Sequence, residues 1–308
     1  MLLNAIQKKP LYKVGLYGGP GRGKTHVGAT APDPLILLFE RHGFETVRTA
    51  SKMQGRPMPP VLWIRSVKQL YAVQQILATA EEPIAAMMRD PDVVSEEEVM
   101  EAGLDREKLV EALPYTTPQT IVIDSLTEAC ELIAKVIDAH GGLETKDGLT
   151  YRKLRAWGPI ADKCVATIRA FRDLPYHVLF LMLVDERNLG SDDEPDTHFR
   201  PALPGRTLWR PLTAAVNAMG VLQMKHGKTK DGALVTKRWV SFVTPPNVCS
   251  KLASPLRAKE PANAGAWFAA LEHGVVNTSD PVEQLVEEAA PSGTSDEETK
   301  TAEESTDE

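Results

Sequence analysis

Gly18-Gly19-Pro20-Gly21-Arg22-Gly23-Lys24-Thr25 matches the phosphate-binding pattern G-x-x-x-x-G-K-[ST] at every fixed position. Its flanks supply the context that the pattern needs. Tyr12-Lys13-Val14-Gly15-Leu16-Tyr17 before it reads as a short buried strand, and His26-Val27-Gly28-Ala29-Thr30 after it can carry a helix. The chemistry follows from backbone geometry. Glycines reach positive φ and let the main chain wrap closely, so that successive N–H groups converge on an anion. A helix starting at the loop adds its positive end. The expected nucleotide-binding residues run from Gly18 through His26. Lys24 is placed to meet the β- and γ-phosphates, and the Thr25 hydroxyl to hold Mg²⁺.

Outward from the loop, the chain alternates strands and helices. Ala31-Pro32-Asp33-Pro34 stops the first helix. Leu35-Ile36-Leu37-Leu38-Phe39 is a continuous apolar run, the mark of a strand buried on both faces of a parallel sheet, and it ends in Glu40-Arg41-His42-Gly43. Val61–Ile64 reads as another strand, and apolar residues at 67, 70, 73, 76 and 77 predict a helix over 67–80. Residues 81–118 break the rhythm as an acidic, helix-prone insertion. Thr120-Ile121-Val122-Ile123-Asp124 is a strand ending in a carboxylate, with a helix expected over 127–139.

A Gly-rich polar loop is expected over 141–150. A long helix over 151–174 would carry Arg152, Lys153, Arg155, Lys163, Arg169 and Arg172, either as a DNA-facing surface or as an ordinary solvated face. Tyr176–Val184 reads as a further strand, 188–204 as a polar loop and 205–219 as a helix. Strands over 220–226 and 233–243, joined across Gly227–Gly232, read as a late antiparallel hairpin. A last helix is expected over 265–273. The fold class is therefore α/β: a mostly parallel sheet flanked by helices, in a nucleotide-binding domain spanning 1–275.

Composition bounds the rest. The 308 residues are 43% apolar and 25% charged, as in ordinary globular chains. Neither a membrane-length apolar run nor a signal-peptide core is visible, so the expectation is a cytoplasmic protein with no membrane partner. Cys130, Cys164 and Cys249 lack disulfide or zinc spacing. Residues 276–308 hold eleven Asp/Glu and one Lys, which leaves residues 1–275 at +3 against −7 for the whole chain. That tail cannot bury a core and reads as a disordered acidic segment.

Hydrolysis of a nucleotide needs a second metal carboxylate and a group to orient water. Asp124 fits the first at a strand end facing the ligand crevice, although it could instead cap the following helix. Ser125 stands where many such enzymes have a glutamate, so the base must come from elsewhere. Glu40, ending the strand after the loop's helix, is the candidate; otherwise it is a solvated loop residue.

With a GKT loop, a strand ending in Glu40 and the run Ile121-Val122-Ile123-Asp124-Ser125, the sequence resembles the RecA-type core. It is most similar to phage-encoded RecA-like nucleotide-binding proteins, some of them single-strand-annealing recombinases. The resemblance implies a RecA-like P-loop NTPase core that uses ATP and Mg²⁺, with Lys24 and Glu40 catalytic and Thr25 and Asp124 on the metal. It implies a γ-phosphate sensor at the tip of the strand 178–184. The family has glutamine there, and this chain has Asp185 and Glu186. Lys237 and Arg238 resemble cations that a neighbouring subunit inserts into the ATP site. Single-stranded DNA, a single-strand-binding protein and copies of the chain itself, in a homo-oligomer, are the partners so implied, with localisation in the host cytoplasm if phage-encoded. Two alternatives remain open: a nucleotide-dependent protein-interaction module without DNA binding, and a small-molecule P-loop kinase.

Overall fold

The computed structural model describes residues 10–79, 118–146, 149–152, 154–188, 197–205, 207–228 and 234–274. All of these lie in one compact unit, Met1–Val276; a second unit, Asn277–Glu308, falls outside the described residues, as do residues 81–117 of the insertion expected over 81–118. The strands are β1 (Lys13–Gly18), β2 (Pro34–Leu38), β3 (Val61–Trp63), β4 (Thr120–Asp124), β5 (Leu143–Lys146), β6 (Leu149–Arg152), β7 (His177–Asn188), β8 (Thr197–Pro201), β9 (Ala218–Lys228), β10 (Leu234–Ser241) and β11 (Lys259–Pro261). The helices are α1 (Lys24–Gly28), α2 (Gly43–Met53), α3 (Val67–Thr79), α4 (Leu126–Ile137), α5 (Trp157–Arg172), α6 (Trp209–Ala215) and α7 (Ala264–His273).

Nine strands form one sheet in the order β11-β10-β9-β1-β7-β4-β2-β3, with β8 paired to β7. From β9 to β3 every neighbour is parallel. The late hairpin β9–β10 is antiparallel, as expected from the sequence. The central stretches of the parallel strands are apolar because both faces are covered there. On one face Tyr17, Leu35, Ile121, Ile123 and Phe180 pack with residues of α3, α4, α5 and α6. On the other, Val14, Leu16, Ile36, Val122 and Leu181 pack with α1, α2 and α7. Among the described residues, Cys130 and Cys164 are free and buried in the first of these layers.

Several expectations change. Within the loop expected over 141–150, β5 (143–146) pairs antiparallel with β6 (149–152). The helix expected over 151–174 is shorter, Trp157–Arg172, because Arg152 belongs to a strand and Leu154–Ala156 is a separate 3₁₀ turn. Its buried stripe is Ile160, Cys164, Thr167, Ile168 and Phe171, at helical spacing; of the six cations, only Lys163, Arg169 and Arg172 ride on it. The strand ending at Val184 continues to Asn188, and residues 197–201 of the expected loop return beside it as β8. The helix expected over 205–219 is confined to Trp209–Ala215, and β9 begins at Ala218. Helix α2 was not expected at all.

Candidate nucleotide site

The site is assembled by register. Gly18, the last residue of β1, stands beside Leu183 of β7. Asp124, the last of β4, stands between Leu181 of β7 and Leu38 of β2. Three chains therefore leave the sheet at one level: the loop after β1, Glu40 after β2 and Ser125 after β4. Such carboxyl ends form the ligand crevice of an open parallel sheet. A cavity of about 340 Å³ lies there, and Gly23, Lys24, Thr25, Glu40, Asp124 and Ser125 are among its walls.

The loop geometry is that of an anion cradle. Gly23 precedes α1 with φ 99° and ψ 26°, a left-handed conformation that only glycine adopts readily. Lys24 Nζ donates to the carbonyls of Gly18 (3.0 Å) and Gly19 (2.9 Å), closing the loop on itself. Burial lowers the Lys24 pKa, as does Arg22; Asp124 and Glu40 act the other way. Helix α1 lies close on the sheet because residue 28 is glycine. A Cβ there would come within 2.9 Å of Val122 Cγ1 and 3.0 Å of Leu181 Cδ1.

Asp124 is buried, and burial raises its pKa. A hydrogen bond from the Thr25 hydroxyl and the charge of Lys24 lower it, while Glu40 raises it further. Its Oδ2 has no hydrogen-bond partner among the described residues. A buried carboxylate oxygen of this kind costs free energy unless something pairs with it. With the Thr25 hydroxyl beside it, the donor set is all oxygen, which suits Mg²⁺. Thr25 and Asp124 would hold the ion; when bound, it supplies positive charge against the phosphates. Ser125 does cap α4, its Oγ accepting from Glu128 N at 3.2 Å, so the capping role falls to Ser125 rather than Asp124. Glu40 is exposed at the cavity mouth.

Other expected residues lie elsewhere. Asp185 is not among the cavity walls; its Oδ2 accepts from Arg187 Nε (2.7 Å) and Arg200 Nε (3.0 Å) along the β7–β8 pair. Glu186 is exposed on the same pair. The β7 residue that reaches the cavity is Leu183, whose N–H donates to Thr127 Oγ1 at 3.0 Å. Arg238 lies against the loop of its own chain, with Nε donating to Arg22 O at 3.0 Å. Lys237, its neighbour in β10, falls on the opposite face of the strand.

The structure adds residues that the sequence reading passed over. His42, Gly43 and Thr46 line the cavity from the start of α2. Glu128, half-buried in the first turn of α4, has its pKa raised first by burial and then by Glu40, which marks it as a second carboxylate near the mouth. The helical spacing of Val47, Ala50 and Ser51, all buried, was the available signal for α2.

The sequence matches the AAA domain family over residues 11–252. The chain belongs to that family. This AAA-family chain is a P-loop nucleotide-binding domain, in keeping with the cradle and carboxylates above. No curated protein matches it. Among solved structures, it is similar to a prototypical ATPase from the type III secretion system of pathogenic bacteria, at 11% identity and a TM-score of 0.35. That likeness covers 71% of this chain and 51% of the other, so the chain spans about half the length of that structure. Among the described residues, no helix is long and apolar enough to cross a membrane.

Proposed function

We propose that this AAA-family protein hydrolyses ATP, with Glu40 activating the attacking water, and uses the reaction to act on single-stranded DNA in recombination or annealing. The observation that carries the hydrolytic reading is the meeting of Lys24, Thr25, Asp124 and Glu40 in one cavity. Lys24 and the loop N–H groups hold the triphosphate and stabilise charge as the terminal phosphoryl group departs. Glu40, at the mouth, accepts a proton from water as its oxygen bonds to the γ-phosphorus; the bond from phosphorus to the bridging oxygen breaks, and ADP carries away that electron pair. Water enters at the side where Glu40 is exposed, while the buried Lys24–Asp124 side stays shielded.

Support for the DNA reading comes from the RecA-like arrangement of Glu40 and the Asp124–Ser125 strand end, and from an excess of positive charge over residues 1–275. The test is phosphate release with Mg²⁺ and ATP, with and without an oligonucleotide. We expect slow release that single-stranded DNA accelerates. Release unaffected by DNA would leave an ATPase of another purpose. Transfer to a small acceptor, with none to water, would make it a kinase.

A further inference from the structure

We infer that the β9–β10 ribbon is the surface that holds single-stranded DNA, and that Arg238 joins this surface to the nucleotide loop. The inference rests on the DNA reading above and assigns it to an element.

The ribbon stands out from the sheet. β1 pairs with β9 only as far as Val221, yet β9 runs on to Lys228 with β10 alongside. At ~3.3 Å per residue this extends roughly 20 Å beyond the pairing, at the end of the sheet where the nucleotide cavity opens. The two strands contain Lys225, Lys228, Lys237 and Arg238 and no Asp or Glu. Lys225, His226 and Lys228 are exposed. Within a chain of net charge −7, this is a local concentration of positive charge.

The register divides the ribbon into two faces. Lys237 pairs with Lys225, and Trp239 with Gln223; Arg238 pairs with Met224 on the other side. Lys225 and Lys237 thus set two cations side by side on one face. Trp239, half-buried, lies one step along the same face. Cations tracking a backbone beside an aromatic ring make the arrangement that holds unpaired bases; a duplex hides those faces.

The opposite face reaches the nucleotide. Besides its bond to Arg22 O, Arg238 covers Gly23, where an added Cβ would lie 3.2 Å from Nε. Its charge also helps to lower the pKa of His26, after burial. Any shift of the loop between nucleotide states is therefore felt at Arg238, and through one residue step at Lys237 and Trp239. Arg238 thus serves as a positioning residue between the two surfaces.

The test uses the full-length protein and a fluorescein-labelled thirty-nucleotide oligo-dT, read by anisotropy across a salt series with and without a non-hydrolysable ATP analogue. Lys225→Ala with Lys237→Ala should weaken binding about tenfold and flatten the salt slope by about 1.4, two phosphate contacts at ~0.7 each. Trp239→Ala should weaken it about fivefold or more at unchanged slope. Arg238→Ala should abolish the difference between analogue-bound and free protein, and Arg48→Ala on α2 should change nothing. Melting temperatures within a few degrees of wild type qualify each variant. If wild type binds and the lysine pair binds within twofold of it, the ribbon assignment is wrong while the DNA reading stands. No wild-type binding at about 50 mM salt overturns the DNA reading itself. A duplex of equal length bound as tightly, with Trp239→Ala unchanged, overturns the single-strand assignment, and an analogue effect that survives Arg238→Ala removes the link.

Discussion

Asp124 is pushed in both directions by its surroundings. Burial and Glu40 favour its neutral form, the Thr25 hydroxyl and Lys24 its anion, and burial dominates. Holding Mg²⁺ requires the anion. Lowering the pH should therefore protonate Asp124 at a pH above the ordinary carboxylate value of about 4 and release the ion with the nucleotide. Calorimetry of Mg²⁺–nucleotide binding from pH 8 to 5 should show the ratio of wild-type to Asp124→Asn affinity falling as pH falls. A constant ratio would show that this carboxylate does not hold the metal. Glu40 makes a separable prediction. As the base, it should be worth ~10² or more in rate, so Glu40→Gln should keep nucleotide affinity within about threefold of wild type and lose hydrolysis by that factor. Glu128 is outside the cavity wall, and Glu128→Gln should slow hydrolysis by less than tenfold. If Glu40→Gln hydrolyses normally and Glu128→Gln does not, the two roles are reversed.

Elements explain why some of this was legible in the sequence and some was not. The parallel strands were readable because burial on both faces forces unbroken apolar runs, as in Leu35–Leu38 and Val178–Leu183. Lys24, Thr25, Glu40 and Asp124 could be placed because each follows such a run by a fixed step. Helix α2 was obscured because only its Val47, Ala50 and Ser51 side is buried while Phe44 and Met53 remain exposed, so its apolar pattern is blurred; with it went His42 and Thr46. The end of β7 was misplaced because Asp185 and Arg187 look like a loop in isolation. In the structure they pair along an antiparallel extension that depends on β8, which lies beyond the polar stretch 189–196. Helix α1 shows what close packing requires of a short element. Gly28→Ala sets a methyl group against Val122 and Leu181, both held in the sheet. Overpacking of this kind should cost about 1–3 kcal/mol, seen as a lower urea midpoint with an unchanged slope. A variant as stable as wild type would mean that α1 can lift off the sheet freely.

Across the whole molecule, the two ends of the sheet do different work. The candidate site lies at the carboxyl ends, while the amino ends are fastened by buried polar links. Asn217 Oδ1 accepts from Lys13 N at 2.7 Å, and His177 Nδ1 accepts from Tyr12 N at 3.0 Å. With Nδ1 occupied as an acceptor, the proton of a neutral ring lies on Nε2, which donates to Glu272 at 2.6 Å and anchors α7. Beside them, Lys13 Nζ donates to Leu174 O at 3.0 Å and to Tyr176 O, joining β1 to the turn before β7. Burial lowers its pKa to about 8, with Asp173 opposing. Unfolding returns Lys13 to about 10.4, so between these values the unfolded chain binds the proton that the folded chain has released. Stability from this group is therefore greatest above the unfolded value and is lost as pH falls through about 8, by on the order of 3 kcal/mol over the full span. Tyr176, raised to about 12 by burial, opposes this trend only above pH 10, where the unfolded phenol begins to ionise. Urea melts at pH 8 and pH 10 should therefore show wild type gaining stability relative to Lys13→Met. The variant loses donors to two carbonyls and should be less stable at both pH values, but that loss is nearly independent of pH, so the change in the difference isolates the ammonium. Equal differences at the two pH values would mean that Lys13 keeps its ordinary pKa, and that the polar links at this end of the sheet hold without a strained charge among them.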